Sequence, residues 1–252
     1  MQVFYKKLNN FKRFYSVKIQ YVSDVHVDYK NYIPHIEPQA KNLIVAGDIG
    51  LPNHKNVKLF MDTYSKKFEK IFVVAGNHDY RCSAKYNKKN VDIYKKIFVD
   101  MYNAYNNVYL LDRTAYKLSE DVVITGATLW SAPQSARSCS NDNKLIDHIN
   151  EHNNDVEWIR DICEEKYDKK IIMVSHYVPS FKLIEQKYLR LGINNTSLFA
   201  SDLDYLIKKP VVAWICGHTH SVMDMKINGV YCGVNALGHG SGRCKSKVIC
   251  VE

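Results

Sequence analysis

Five strand-like apolar runs each lead directly into residues that ligate metals, and this feature constrains the chain more than any other. Residues 17–22 run into Ser23-Asp24-Val25-His26, 43–46 into Gly47-Asp48-Ile49-Gly50, and 71–75 into Gly76-Asn77-His78-Asp79. Residues 171–174 run into Ser175-His176, and 211–216 into Gly217-His218-Thr219-His220. In sheets of α/β type, ligands bind beyond the carboxyl ends of strands, so loops from five such strands can converge.

The remaining periodicity is that of an α/β chain. Further strand-like runs fall at 108–111, 122–127, 223–227, 230–234 and 248–251. Val57, Phe60, Met61, Tyr64 and Phe68 recur at helical spacing, as do Val91, Tyr94, Phe98 and Met101. A third helix is expected from Leu145 to about Glu165. Ser201-x-x-Asp204 reads as a capping box opening a short helix before Pro210. Strand–helix alternation in the first hundred residues predicts parallel pairing, and Asn228-Gly229 between two later strands predicts a hairpin. Two mixed sheets covered by helices accommodate both halves. The 252 residues suit one domain, with 1–16 as an extension ahead of the first strand.

Composition excludes several classes. No apolar run approaches the roughly 18–20 residues of a membrane helix, so no membrane partner is expected. The N-terminus lacks a secretory apolar segment. Seven cysteines are scattered without a Cys-x-x-Cys pair, which fits reduced thiols and a cytoplasmic protein better than a secreted disulfide framework. The net charge of +9 is mostly Lys spread along the chain. Lys, Asn, Tyr and Ile are abundant together and share A/T-rich codons, so a nucleic-acid partner is not favoured. Positive potential still assists the approach of a phosphorylated substrate.

Carboxylate and imidazole donors suit borderline divalent ions such as Mn, Fe and Zn. Asp-x-His and His-x-His, read as extended segments, place alternate side chains on one side, so that two donors arrive together. The glycines before Asp48, Asn77 and His218 permit sharp turns.

Asp24-x-His26, Gly47-Asp48, Gly76-Asn77-His78-Asp79, His176 and Gly217-His218-x-His220 together resemble the motif set of the calcineurin-like metallophosphoesterases. The resemblance implies a four-layer αββα sandwich with a dinuclear site at the sheet ends. By motif position, Asp24, His26 and His220 hold one divalent ion, Asn77, His176 and His218 the other, and Asp48 bridges them. His78 then stands beside the phosphate as the general acid, oriented by Asp79. The implied reaction is metal-dependent hydrolysis of a phosphomonoester or phosphodiester by hydroxide held between the two ions.

The protein Ser/Thr phosphatases of this superfamily continue the second motif into Asp-Arg-Gly, where this chain reads Ile49-Gly50-Leu51-Pro52, and they carry Glu where it has Asp79. The chain therefore resembles the small phosphoesterases more closely, and a small phosphorylated substrate is expected. Two other readings stand beside it. A nuclease or protein phosphatase needs an open basic groove, and a non-catalytic scaffold, as in the retromer-associated relative, needs lost metal ligands. The sequence carries no signal for an oligomeric state.

Substrate contacts are expected from Arg81, His239 and the polar segment 131–143 with its Asn141-Asp142 pair. His148 and His152, four apart, read as a solvated helix surface. His35 and His54 fall in loops.

Overall fold

Strands that are apolar along nearly their whole length need cover on both faces, and the chain supplies it with two sheets and three long helices. The structure, a computed structural model, describes residues 16–82, 87–133, 143–190, 196–238 and 246–252. The first sheet has the order β11-β1-β2-β3-β4, formed by β1 (Val17–Val22), β2 (Asn42–Ala46), β3 (Lys70–Val74), β4 (Val108–Leu110) and β11 (Lys247–Val251). The second has the order β5-β6-β7-β8-β10-β9. Its members are β5 (Thr114–Lys117), β6 (Val122–Ala127), β7 (Lys170–Ser175), β8 (Val211–Cys216), β9 (Val222–Ile227) and β10 (Val230–Asn235). Pairing is parallel from β1 to β4 and from β6 through β7 and β8 to β10; β11, β5 and β9 add antiparallel edges.

Period-two alternation divides each strand between two cores. Ile44, Ala46, Phe72 and Val74 face Ile172, Val174, Ala213 and Ile215 across the gap between sheets. Leu43, Val45, Ile71 and Val73 face outward to α1 (Lys55–Tyr64) and α2 (Lys88–Asn103) through Val57, Phe60, Met61, Tyr94 and Phe98. On the other side Ile171, Met173, Trp214 and Cys216 pack against Val156, Ile159 and Ile162 of α3 (Asn143–Glu165). The expected αββα sandwich of two mixed sheets is the observed one.

Local expectations fail where a tertiary partner takes over. Helix α1 stops at Tyr64, while Phe68 keeps its buried place beyond the helix end. His54 caps that helix, accepting the Asn56 N–H at 3.2 Å on Nδ1. The capping box at Ser201 opens no helix. Its hydroxyl accepts the Ala132 amide at 3.2 Å, Asp204 pairs with Lys182, and Asp204–Leu206 is a turn.

His148 and His152 do not form a solvated surface; they are 0% and 5% exposed. The loop after β6 presents backbone groups that need partners once buried. His152 donates from Nδ1 to the Trp130 carbonyl, His148 Nε2 lies 3.2 Å from the Ser131 hydroxyl, and Asp155 accepts the Leu129 N–H at 2.9 Å. These α3 residues hold the loop in place. Cys82, Cys163, Cys216, Cys232 and Cys250, the cysteines among the described residues, are free. No helix among the described residues is long and apolar enough to cross a membrane.

Candidate metal centre

The carboxyl ends of β1, β2, β3, β7 and β8 meet because backbone bonds tie neighbouring loops within each sheet and side chains tie the two sheets together. Asp24 N–H donates to Gly47 O at 2.9 Å, His26 N–H to Asp48 O at 2.9 Å, and Gly217 N–H to His176 O at 2.9 Å. The Asp24 carboxylate accepts the His218 N–H at 3.0 Å, and Asp48 Oδ1 accepts the His78 N–H at 2.9 Å.

The expected extended Asp-x-His and His-x-His segments are not what brings the donors together. Asp24, His26, Asp48, His218 and His220 all lie in the left-handed region, with φ between 47° and 68°. Such residues cost of order 1–3 kcal/mol each and persist where the surroundings over-determine them; for Asp24, His26, Asp48 and His218 the loop-to-loop bonds above do this. Two glycines are required by space. A Cβ on Gly47 (φ +87°) would lie 2.2 Å from His176 Nδ1, and one on Gly76 would lie 2.0 Å from Asp48 Oδ1.

The donors fall into overlapping sets whose ligand atoms lie within 4.8 Å of one another: Asp24, His26 and His220; Asp48, His176 and His218; and His26, Asp28 and His78. His26 Nε2 is 3.1 Å from His220 Nε2, and His220 Nε2 is 3.5 Å from Asp24 Oδ1. His176 Nε2 lies 3.1 Å from Asn77 Oδ1, 3.2 Å from His218 Nδ1 and 3.3 Å from Asp48 Oδ2. The same Asp48 oxygen is 3.8 Å from His26 Nε2, so it stands between the first two sets.

These residues fit a cation. His176 donates from Nδ1 to Ala46 O at 3.0 Å, which directs its Nε2 lone pair into a group of acceptors. Burial opposes a charge on His176, but Asp48 and Asp24 raise its pKa to about 9. Burial raises Asp24 to about 7, whereas Asp48, against its own burial, is held below the usual carboxylate range by His176 and His26. Burial, with the charge of His176 beside it, holds the His218 pKa well below its usual value and keeps the ring neutral. Metal ligands bind in their deprotonated form, so a divalent ion would favour the neutral imidazoles and the ionised carboxylates here.

One expected pairing is corrected. Asp79 does not orient His78, because both of its oxygens are taken by backbone amides: Asp48 at 2.8 Å, Gly50 at 2.8 Å and Gly76 at 2.7 Å. The residue that binds His78 is Asp28, whose Oδ2 accepts from Nε2 at 2.7 Å. Tyr29 packs its ring 4.9 Å from that of His78. Asp28 sits two residues beyond His26 on the 3-10 turn Val27–Tyr29, and the continued alternation Asp24-x-His26-x-Asp28 was the available signal.

Asp79→Ala leaves three buried N–H groups without an acceptor, at about 1–3 kcal/mol each. It should lower the denaturant midpoint more than Asp28→Ala does; an equal or smaller shift would show that the three amides find other partners.

The remaining expected contacts separate. Arg81 is exposed and is not among the residues lining the cavity above the donors, a space of about 430 Å³. Asn141, Asp142 and His239 lie outside the described residues. The side chains of Tyr29, Ile184, Tyr188 and Phe199 line the cavity and carried no motif that sequence reading could catch.

Nitrogen and oxygen donors gathered at the strand ends of two packed mixed sheets form a candidate metal centre of an α/β protein. The profile of the calcineurin-like phosphoesterases matches residues 17–222, and the chain belongs to that family, whose members use divalent metals and act on phosphorylated substrates. The chain is 28% identical over 264 residues to the uncharacterized protein L509 of Acanthamoeba polyphaga mimivirus, covering 89% of this chain and 92% of that one. Among solved structures it is similar to the phosphopantetheinyl hydrolase PptH of Mycobacterium tuberculosis, with TM-score 0.60, 16% identity, and 88% and 90% of the two chains covered. It is also similar to TT1561 of Thermus thermophilus, with TM-score 0.55, 10% identity, and 94% and 99% covered. At these identities the likeness to solved structures is one of fold.

Proposed function

We propose that the chain is a two-metal phosphohydrolase cleaving a small phosphomonoester or phosphodiester. The observation that carries this reading is the placement of Asp48 Oδ2 between two donor sets drawn from five strand ends. Asp24, His26 and His220 would hold one divalent ion, and Asn77, His176 and His218 the other, with Asp48 shared. The mixed imidazole, carboxylate and amide donors suit Mn, Fe or Zn. When bound, the two ions supply polarisation of the phosphoryl oxygens and hydroxide at neutral pH.

The chain's own residues position and protonate. Asp28 holds one nitrogen of His78 and leaves the other for the leaving-group oxygen, and the Tyr29 ring restricts rotation of the imidazole. Protonation of the departing oxygen is the step that a ring so placed can serve. The cavity of about 430 Å³ is of the size that takes a small molecule, which supports that substrate class over a polymer. Retention of every motif donor supports catalysis over a scaffold role.

Reconstitution with Mn should give close to two ions per chain by elemental analysis and hydrolysis of a nitrophenyl phosphate monoester or diester that stops on chelation. A reproducible content near one ion with full activity would overturn the two-metal reading.

A further inference from the structure

The cavity over the candidate metal centre joins two kinds of surface. Asp48, Asn77, His218 and His220 bring polar donors to it, and Tyr29, Ile184, Tyr188 and Phe199 bring apolar area. Three of these four come from the connection between β7 and β8. Ile184 follows the 3-10 turn Phe181–Leu183, and Tyr188 lies on the short helix α4 (Gln186–Leu189). Tyr29 comes instead from the turn after β1.

The aromatic rings are placed beside the reacting region. Phe199 lies 5.3 Å from the ring of His218, and Tyr29 lies 4.9 Å from that of His78. Tyr29 is 64% exposed and Tyr188 37% exposed, so both offer ring surface to an incoming group. A pocket that fixes its ligand by a few polar groups and surrounds the rest with aromatic side chains gains affinity from apolar area and ring–ring contact.

We propose that these four side chains receive the organic group of the substrate, and that this group carries a planar aromatic ring. The proposal rests on the phosphoesterase reading above and deepens it: the donors take the phosphoryl group, and Tyr29, Ile184, Tyr188 and Phe199 select what is attached to it. A methyl or other small alkyl group leaves the tyrosine rings in water. A saturated ring of similar size covers them without stacking, and a flat ring does both.

The test is equilibrium binding of methyl-, cyclohexyl-, phenyl- and 1-naphthylphosphonate to the full, Mn-loaded chain by calorimetry, a readout that needs no turnover. Naphthylphosphonate should bind at least about tenfold more tightly than methylphosphonate, with phenyl between them and ahead of cyclohexyl. Tyr188→Ala should bring the naphthyl-to-methyl ratio toward one while methylphosphonate affinity and metal content stay unchanged; Tyr188→Phe should keep the ratio. Equal affinity across the four phosphonates within about twofold would overturn the proposal and leave the phosphoesterase reading intact, as would a Tyr188→Ala variant that keeps the full ratio. No binding of any phosphonate together with no hydrolysis of any nitrophenyl ester would instead remove the reading on which the proposal rests.

Discussion

Asp48→Ala is expected to empty both donor sets of metal and to lower hydrolysis by at least about 10³-fold, the scale set by losing several kcal/mol of charge stabilisation in the transition state. The reason is position. Its Oδ2 lies 3.3 Å from His176 Nε2 and 3.8 Å from His26 Nε2, so one carboxylate serves both sides. Its Oδ1 also accepts the His78 N–H and so places the next loop. Asn77 reaches only the His176 side, at 3.1 Å, and it is a neutral donor. Asn77→Ala should therefore weaken one ion and keep the other. Elemental analysis of the two variants after identical reconstitution decides the matter: small and equal losses would contradict the shared role of Asp48.

His78→Asn should retain both ions yet lose about 10²–10⁴ in rate, the usual contribution of a positioned acid. The loss should be greatest for esters with alkoxide leaving groups and smallest for a nitrophenyl ester, whose leaving group needs little protonation. Asp28→Asn should reproduce the same dependence on leaving group with a smaller loss, because it weakens the bond that holds the imidazole and keeps the side-chain size. Asp79→Asn should not reproduce it, since Asp79 binds the amides of Gly76, Asp48 and Gly50 instead. If His78→Asn empties a metal site, or slows both kinds of ester equally, the general-acid role is wrong. If Asp79→Asn shows the leaving-group dependence and Asp28→Asn does not, the orientation of His78 has been misread.

What could be read before the structure divides along a physical line. Strand and helix identity is encoded locally: the ten apolar runs all form strands, since a β-branched run bounded by turn residues needs no distant information to be extended. The strand overlooked, β5, is a sheet edge with exposed Thr114, Ala115 and Lys117, and no apolar alternation marks it. The gathering of donor-type residues was legible for the same reason, since residue types at strand ends are visible in one dimension.

Partnership was not. Asp28 and His78 are 50 positions apart, and only the parallel order β1-β2-β3 brings their loops together. Sequence adjacency pointed to Asp79, whose carboxylate the neighbouring amides had already claimed. His148 and His152 have polar neighbours in sequence but lie on the side of α3 that meets the loop after β6. The left-handed backbone at Asp24, His26, Asp48 and His218 runs against local preference and is held by bonds between loops. The sequence by itself determined where the ten apolar runs extend and which donor-type residues stand at the strand ends, because those properties depend on periodicity and side-chain chemistry. The tertiary structure alone decided which carboxylate holds His78 and which apolar side chains line the cavity, because hydrogen bonds and burial depend on distances that only the folded chain sets.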